Sequence, residues 1–140
     1  MSHEQSPIDL SLTHCRNIAV VGLSPKPHRD SYRVSQYMQA QGYRIIPVNP
    51  QATEVLGERA YASLSDAAQH ERIDMVNCFR NAHDIPPIAN EAMAVGAKAL
   101  WLQIGIAHAH ASALALQAGL WVVQDRCLMV EHARWARLQD

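Results

Sequence analysis

The sequence has few of the features that mark membrane, secreted or metal-binding proteins. Its 140 residues contain no apolar run near the roughly 18 residues that a membrane span needs, and no leader in which charged residues precede an apolar stretch. The three cysteines, Cys15, Cys78 and Cys127, form no CxxC pair, and their odd number fits a reducing compartment better than a disulfide framework or a zinc site. We therefore expect a cytoplasmic protein with no membrane partner.

A surplus of positive charge and the usual catalytic motifs are also missing. Twelve Lys and Arg against thirteen Asp and Glu give a net charge of −1, so we expect no nucleic-acid partner. The eight histidines lack HExxH spacing, and no metal site is predicted. No nucleophile elbow or pair of carboxylates stands out. The chain is therefore predicted to be a binding protein rather than an enzyme, without catalytic residues.

Short β-branched runs alternate with amphipathic segments from Cys15 onwards. Three predicted helices end in a glycine that is followed at once by a strand, at Gly42, Gly96 and Gly119, where glycine supplies the left-handed position after a helix. This alternation predicts one α/β domain over residues 15–140, in which a parallel sheet is covered by helices on both faces. We predict a Rossmann-like, doubly wound sheet with strand order 3-2-1-4-5-6.

Two segments are less regular. A short edge strand near residues 59–61 is predicted as strand 3 of that order. Residues 1–14 are polar and lack a period, which predicts a loosely held N-terminal arm, although Ile8, Leu10 and Leu12 would suit a short docked helix.

The first predicted strand ends at Gly22 and leads into a basic loop before the next helix. Ser24, Lys26 and Arg29 lie in that loop, and Asp30 or Ser31 is expected to cap the helix. A glycine-led loop at a helix N-terminus offers backbone N–H groups to an anion, and the cations favour a phosphate. A nicotinamide site requires GxGxxG spacing and an acidic residue at the end of the second strand. The sequence has neither.

The other candidate ligand-binding residues follow the ends of the remaining strands. They are Asn49 and Pro50 after the second strand, Phe79 and Arg80 across the predicted crevice, Gly105 after Ile104, and Cys127 after the last strand. Phe79 would also suit the core, Gly105 a simple turn, and Cys127 a buried inert thiol. Arg80 directly follows a buried strand, so its charge must reach the surface where the crevice opens.

Five motifs in order resemble the small, stand-alone bacterial CoA-binding proteins, whose domain is similar to the N-terminal domain of the succinyl-CoA synthetase α subunit. The motifs are Gly22-Leu-Ser-Pro-Lys-Pro, Pro47-Val-Asn-Pro50, Cys78-Phe79-Arg80, Trp101-Leu-Gln-Ile-Gly105 and Asp125-Arg-Cys-Leu-Met-Val-Glu-His132. The resemblance, which runs from about Cys15 to His132, implies a Rossmann-like domain that binds CoA with no settled reaction. The synthetase carries its phosphorylated histidine in a second domain, so its reaction is not carried over to this chain.

The predicted ligand is therefore CoA or an acyl-CoA, held by a phosphate-binding loop over Gly22–Ser31 and by the strand-end crevice. Two alternatives stay open: a dinucleotide-dependent oxidoreductase with an atypical loop, and a thiol redox module in which Cys127 pairs with the CoA thiol. The sequence names no acyl group and no protein partner. The predicted ligand-binding residues are Gly22, Ser24, Lys26, Arg29, Asn49, Pro50, Phe79, Arg80, Gly105 and Cys127.

Overall fold

A parallel sheet of five strands forms the centre of the computed structural model, which describes residues 5–139. The strands are β1 (Asn17–Val21), β2 (Arg44–Val48), β5 (Met75–Cys78), β6 (Ala99–Leu102) and β7 (Trp121–Val123), in the order β2-β1-β5-β6-β7. Every neighbouring pair is parallel. A separate antiparallel hairpin joins β3 (Glu54–Val55) to β4 (Glu58–Arg59).

Helices cover both faces of this sheet, which confirms the doubly wound α/β class. The helices are α1 (Pro7–His14), α2 (Asp30–Ala40), α3 (Leu64–Ala68), α4 (Ile85–Ala94), α5 (Ala109–Gln117) and α6 (Leu128–Arg137). None of those within residues 5–139 is long and apolar enough to cross a bilayer. Side chains alternate across β1, so that Ile18 and Val20 pack with α1, α2 and α6, while Ala19 and Val21 pack with α3, α4 and α5.

The helix ends follow the glycine pattern that the sequence indicates. Gly42, Gly96 and Gly119 have positive φ angles of 95°, 78° and 93°, and each leads directly into the next strand region. The chain therefore returns to the sheet after one residue in the left-handed conformation.

The strand order departs from the prediction at one edge. Leu56 and Gly57 both have positive φ angles, 56° and 75°, which suits a two-residue hairpin turn. The residues around them therefore pair with each other as β3 and β4 instead of lengthening the sheet. Tyr61 pairs with β2 through a single parallel bridge to Val48, and Glu58 of β4 contacts β2 through an ion pair with Arg44. The predicted strand 3 lies at the expected edge but is reduced to this one bridge.

The N-terminal segment forms a docked helix where a loosely held arm was expected. Ser6 and Asp9 form a reciprocal capping box at the start of α1. Leu12 is 1% exposed in the core, and the Tyr43 hydroxyl donates to its carbonyl oxygen at 2.8 Å. Burial of an apolar residue and a capped first turn thus fix residues 7–14. The first four residues of the predicted arm lie outside the described residues.

The amino edge of the sheet is held together by one buried carboxylate. Asp74 is 1% exposed, and its Oδ2 accepts hydrogen bonds from the backbone N–H groups of Arg16 and Asn17 at 3.1 and 3.0 Å. Its carbonyl oxygen accepts from the N–H groups of Lys98 and Ala99 at 2.7 and 3.1 Å. Asp74 therefore links the beginnings of β1, β5 and β6.

Candidate functional site

Three adjoining pockets lie at the carboxyl edge of the sheet. The loop pocket, of about 630 Å³, lies between Gly22, the loop after it and α2. The β2 pocket, of about 430 Å³, lies between Asn49, Pro50 and the start of α3. The α6 pocket, of about 420 Å³, lies between the ends of β5 and β6 and the start of α6. These volumes are typical of small-molecule sites.

All ten predicted ligand-binding residues line these pockets. Phe79 lines all three, half-buried, with part of its ring packed on the core beneath. The ends of parallel strands meet at one edge of a sheet, which explains why residues far apart in the chain converge here. The remaining members are Ser24, Lys26 and Arg29 in the loop pocket, Gly22 and Asn49 in the loop and β2 pockets, Pro50 in the β2 pocket, Arg80 in the β2 and α6 pockets, and Gly105 and Cys127 in the α6 pocket.

Gly22 stands where three strand ends come together, and no other residue type fits there. Its φ is 87°, and a Cβ added to it would lie 2.7 Å from the Phe79 carbonyl oxygen. Its own N–H donates to the Val48 carbonyl at 3.0 Å. A side chain at this position would push the end of β1 away from the end of β5. It would also alter the wall that the β2 and loop pockets share.

The loop after Gly22 is closed by hydrogen bonds to serine hydroxyls. The Ser31 hydroxyl accepts from the Ser24 N–H at 3.0 Å, and the Ser24 hydroxyl accepts from the Lys26 N–H at 3.1 Å. The prediction that Asp30 or Ser31 caps α2 is wrong, because the N-cap is Arg29 and makes no side-chain capping bond. Ser31 closes the loop instead. The first turn of α2 keeps N–H groups that can donate hydrogen bonds to an anion.

The positive charges of the site differ in how far they are already paired. Lys26 and Arg29 are exposed in the loop pocket and make no ion pair within residues 5–139. Arg80, in contrast, donates from Nη2 to Asp84 Oδ2 at 3.1 Å. Asp30, the carboxylate of the loop pocket, is paired with Arg33. The loop pocket therefore presents unpaired positive charge.

Asn49 holds the loop in place with both ends of its side-chain amide. Its Nδ2 donates to the Leu23 carbonyl at 3.0 Å, and its Oδ1 accepts from the Gln51 N–H at 2.9 Å. Asn49 therefore positions the loop, and the second N–H and second lone pair of its amide remain for a ligand in the pockets that it lines.

The turn at Gly105 bounds the α6 pocket, and a residue of the segment before α6 holds this turn in place. The Gly105 N–H donates to Asp125 Oδ1 at 2.6 Å, so Gly105 shapes the turn but does not offer its N–H to a ligand. Cys127 is half-buried and is the N-cap of α6. The other two thiols are buried, and burial raises the pKa of both Cys15 and Cys78 to about 12.

Several residues that line the pockets were not among the candidates. Asp30, Arg33 and Met129 belong to helices whose amphipathic pattern does not show which residues reach a pocket. Gln103 lies inside the motif Trp101-Leu-Gln-Ile-Gly105, and that motif was the signal that could have identified it. No group of three His, Cys, Asp or Glu side chains within residues 5–139 is arranged to hold a metal ion.

A parallel, doubly wound sheet with ligand-sized pockets at its carboxyl edge and a glycine-led loop before α2 defines a Rossmann-like binding domain. The family model described as a CoA binding domain matches residues 16–133. The chain belongs to this family.

Relatives of similar length share the fold and much of the sequence. The uncharacterized protein YneT of Bacillus subtilis is 41% identical over 122 residues, which cover 87% of this chain and 89% of that protein. A hypothetical protein from Pyrococcus horikoshii is 36% identical with a TM-score of 0.87, covering 97% of this chain and 99% of its own. A protein from Thermus thermophilus is 38% identical with a TM-score of 0.85, covering 94% and 99%.

Proposed function

We propose that this protein binds CoA or an acyl-CoA at the carboxyl edge of its sheet. The observation that carries the proposal is the loop pocket of a CoA-binding-family domain. There Lys26 and Arg29 lie unpaired beside the uncapped N-terminus of α2. CoA carries a pyrophosphate and a 3′-phosphate, and charge-assisted bonds from lysine and arginine are strong contacts for such groups.

The way the pockets adjoin supports one orientation of the ligand. Gly22 and Asn49 line both the loop and the β2 pockets, whereas Asp30 lines both the loop and the α6 pockets. Phe79 lines all three pockets and Arg80 lines both the β2 and the α6 pockets, so each pocket adjoins the other two. The cations of the loop pocket favour it for the phosphates, which lie in the middle of CoA. The adenosine then lies on one side and the pantetheine arm on the other.

The lining of the other two pockets supports one assignment of the adenosine and the pantetheine arm. The α6 pocket has apolar walls contributed by Val34, Phe79, Ile106 and Met129 beside the charged Asp30, Arg33 and Arg80 and the buried Gln103. A flexible arm with amide groups and a terminal thiol fits such walls. The β2 pocket, with Asn49, Pro50 and Ser63 along one side, then receives the adenosine.

A comparison of CoA with nicotinamide dinucleotides tests the proposal. CoA is expected to raise the melting temperature of the protein and NAD to leave it unchanged, since a ligand that binds only the native state stabilises that state. At a hundredfold excess over Kd the gain is about 2.7 kcal/mol. A shift with NAD or NADP but none with CoA would overturn the proposal in favour of a dinucleotide-dependent oxidoreductase.

A further inference from the structure

The α6 pocket contains a buried amide that faces it without a complete set of partners. Gln103 is 3% exposed and lines the pocket. Its Nε2 donates to Asn77 Oδ1 at 2.8 Å, while its Oε1 accepts no hydrogen bond from any residue in the described part of the chain. This oxygen is not among the fully buried atoms that lack a partner, so it is accessible from the pocket as an acceptor. It can accept a hydrogen bond from a ligand with an N–H group, and the pantetheine arm of CoA has two.

The same pocket is lined by Cys127, the one cysteine of the three that is not buried. Cys15 and Cys78 are 0% exposed, and desolvation raises the pKa of each to about 12, which opposes formation of their thiolates. Cys127 is half-buried and lines the α6 pocket together with Gln103. A ligand that reaches Gln103 from the loop pocket therefore enters the pocket that Cys127 lines.

The backbone before Cys127 is tied to the sheet, so the chain presents Cys127 from a defined position. The Arg126 carbonyl accepts from Trp101 Nε1 at 2.8 Å, and the Arg126 N–H donates to the Leu102 carbonyl at 3.3 Å. Trp101 is itself fully buried. A reacting group held in a defined position gains rate over one that must be found by diffusion.

We propose that Cys127 undergoes thiol–disulfide exchange with a disulfide of CoA bound at this site. The Cys127 thiolate attacks one sulfur of the CoA disulfide, that S–S bond breaks, and a new S–S bond joins Cys127 to one CoA. The other CoA leaves as its thiolate and takes up the proton that Cys127 released. The disulfide is the oxidant, and a free thiol reverses the step. The inference rests on the proposed function, since the phosphates of CoA place its sulfur in the α6 pocket.

Mass spectrometry after incubation with CoA disulfide tests the inference. One CoA per chain is expected, attached at Cys127, reversible by dithiothreitol and absent from the Cys127→Ser variant. The adduct is expected to form about tenfold or more faster than the adduct with oxidised glutathione, which lacks the phosphate handle. Equal rates with the two disulfides, or an adduct on Cys15 or Cys78, would overturn the inference.

A second variant shows whether the phosphates guide the reaction. Lys26→Ala is expected to slow adduct formation with CoA disulfide while leaving the rate with oxidised glutathione unchanged, because only the former uses the loop pocket. An equal effect on both rates would contradict the inference. Reduced CoA is tested in parallel on the unmodified protein. Thermal stabilisation by CoA without any adduct overturns the thiol chemistry alone, whereas no stabilisation by CoA overturns the proposed function as well.

Discussion

Individual side chains at the carboxyl edge divide into those that build the site and those left to contact a ligand. The side chains of Asn49 and Ser31 form hydrogen bonds that hold the loop in place. Arg80 shares its guanidinium with Asp84, although five N–H donors let it serve a second anion. Lys26 and Arg29 form no ion pair within residues 5–139. Loss of either should therefore alter binding more than folding.

The Lys26→Ala variant measures the contribution of that unpaired charge. We expect CoA affinity to fall by about 1.5–3 kcal/mol, the range for a lost hydrogen bond to a charged group. Thermal stability without ligand should stay near that of the wild type, because Lys26 is exposed. Calorimetric titration measures the affinity. Arg137→Ala removes the same charge at the far end of α6 and is the matched control. A similar loss in both variants would remove Lys26 from the site.

At the scale of helices and strands, the periodicity of the sequence predicted the positions of the elements. It did not predict how residues 54–61 pair beside β2. The strand ends and their residues could be predicted because parallel strands place their carboxyl ends together. The split of residues 54–61 into a hairpin and one bridge depends on left-handed conformations at Leu56 and Gly57, and Leu56 carries no sequence signal for one. The pairing of Gln103 with Asn77 joins residues on two strands, so it too required the folded structure.

The helices α2 and α6 meet at a buried histidine, and this contact makes stability depend on pH. His132 is 4% exposed, its Nδ1 lies 2.9 Å from the Tyr37 hydroxyl of α2, and Tyr43 and Trp135 flank its ring. Desolvation by burial lowers the pKa of His132 below 6.5. The unfolded chain therefore binds a proton more readily than the folded one as the pH falls through that value.

We expect the free energy of unfolding to decrease as the pH is lowered from about 6.5 towards the lower pKa of folded His132, and to be fully retained above that window. The His132→Gln variant should be less stable at neutral pH but should lose less stability over the same window. Urea unfolding at several pH values measures this. His110→Gln, at an exposed position, controls for removal of a histidine. An identical pH dependence in wild type and His132→Gln would contradict the role of the buried ring.

At the scale of the whole molecule, the two edges of the sheet are built differently. The carboxyl edge presents pockets and a loop held by a few side-chain bonds. The amino edge is closed by Asp74, which ties three central strands through both its carboxylate and its backbone. With a net charge of −1, the molecule as a whole does not attract a polyanionic ligand. We therefore expect recognition of CoA to depend on the local charges of the loop.

The closed amino edge has a consequence for the motions of the chain. We expect the amide hydrogens bonded around Asp74 to exchange with solvent mainly when the starts of the central strands separate, since both the carboxylate and the backbone of Asp74 hold them together. Amides of the loop after Gly22 need only a local opening. We expect hydrogen–deuterium exchange to be slowest at the starts of β1 and β6 and much faster in the loop, with CoA protecting the loop alone. Protection by CoA that spreads equally to both edges would contradict this separation. Binding of CoA is then expected to slow the local opening of one loop, while the opening rate of the central strands stays the same.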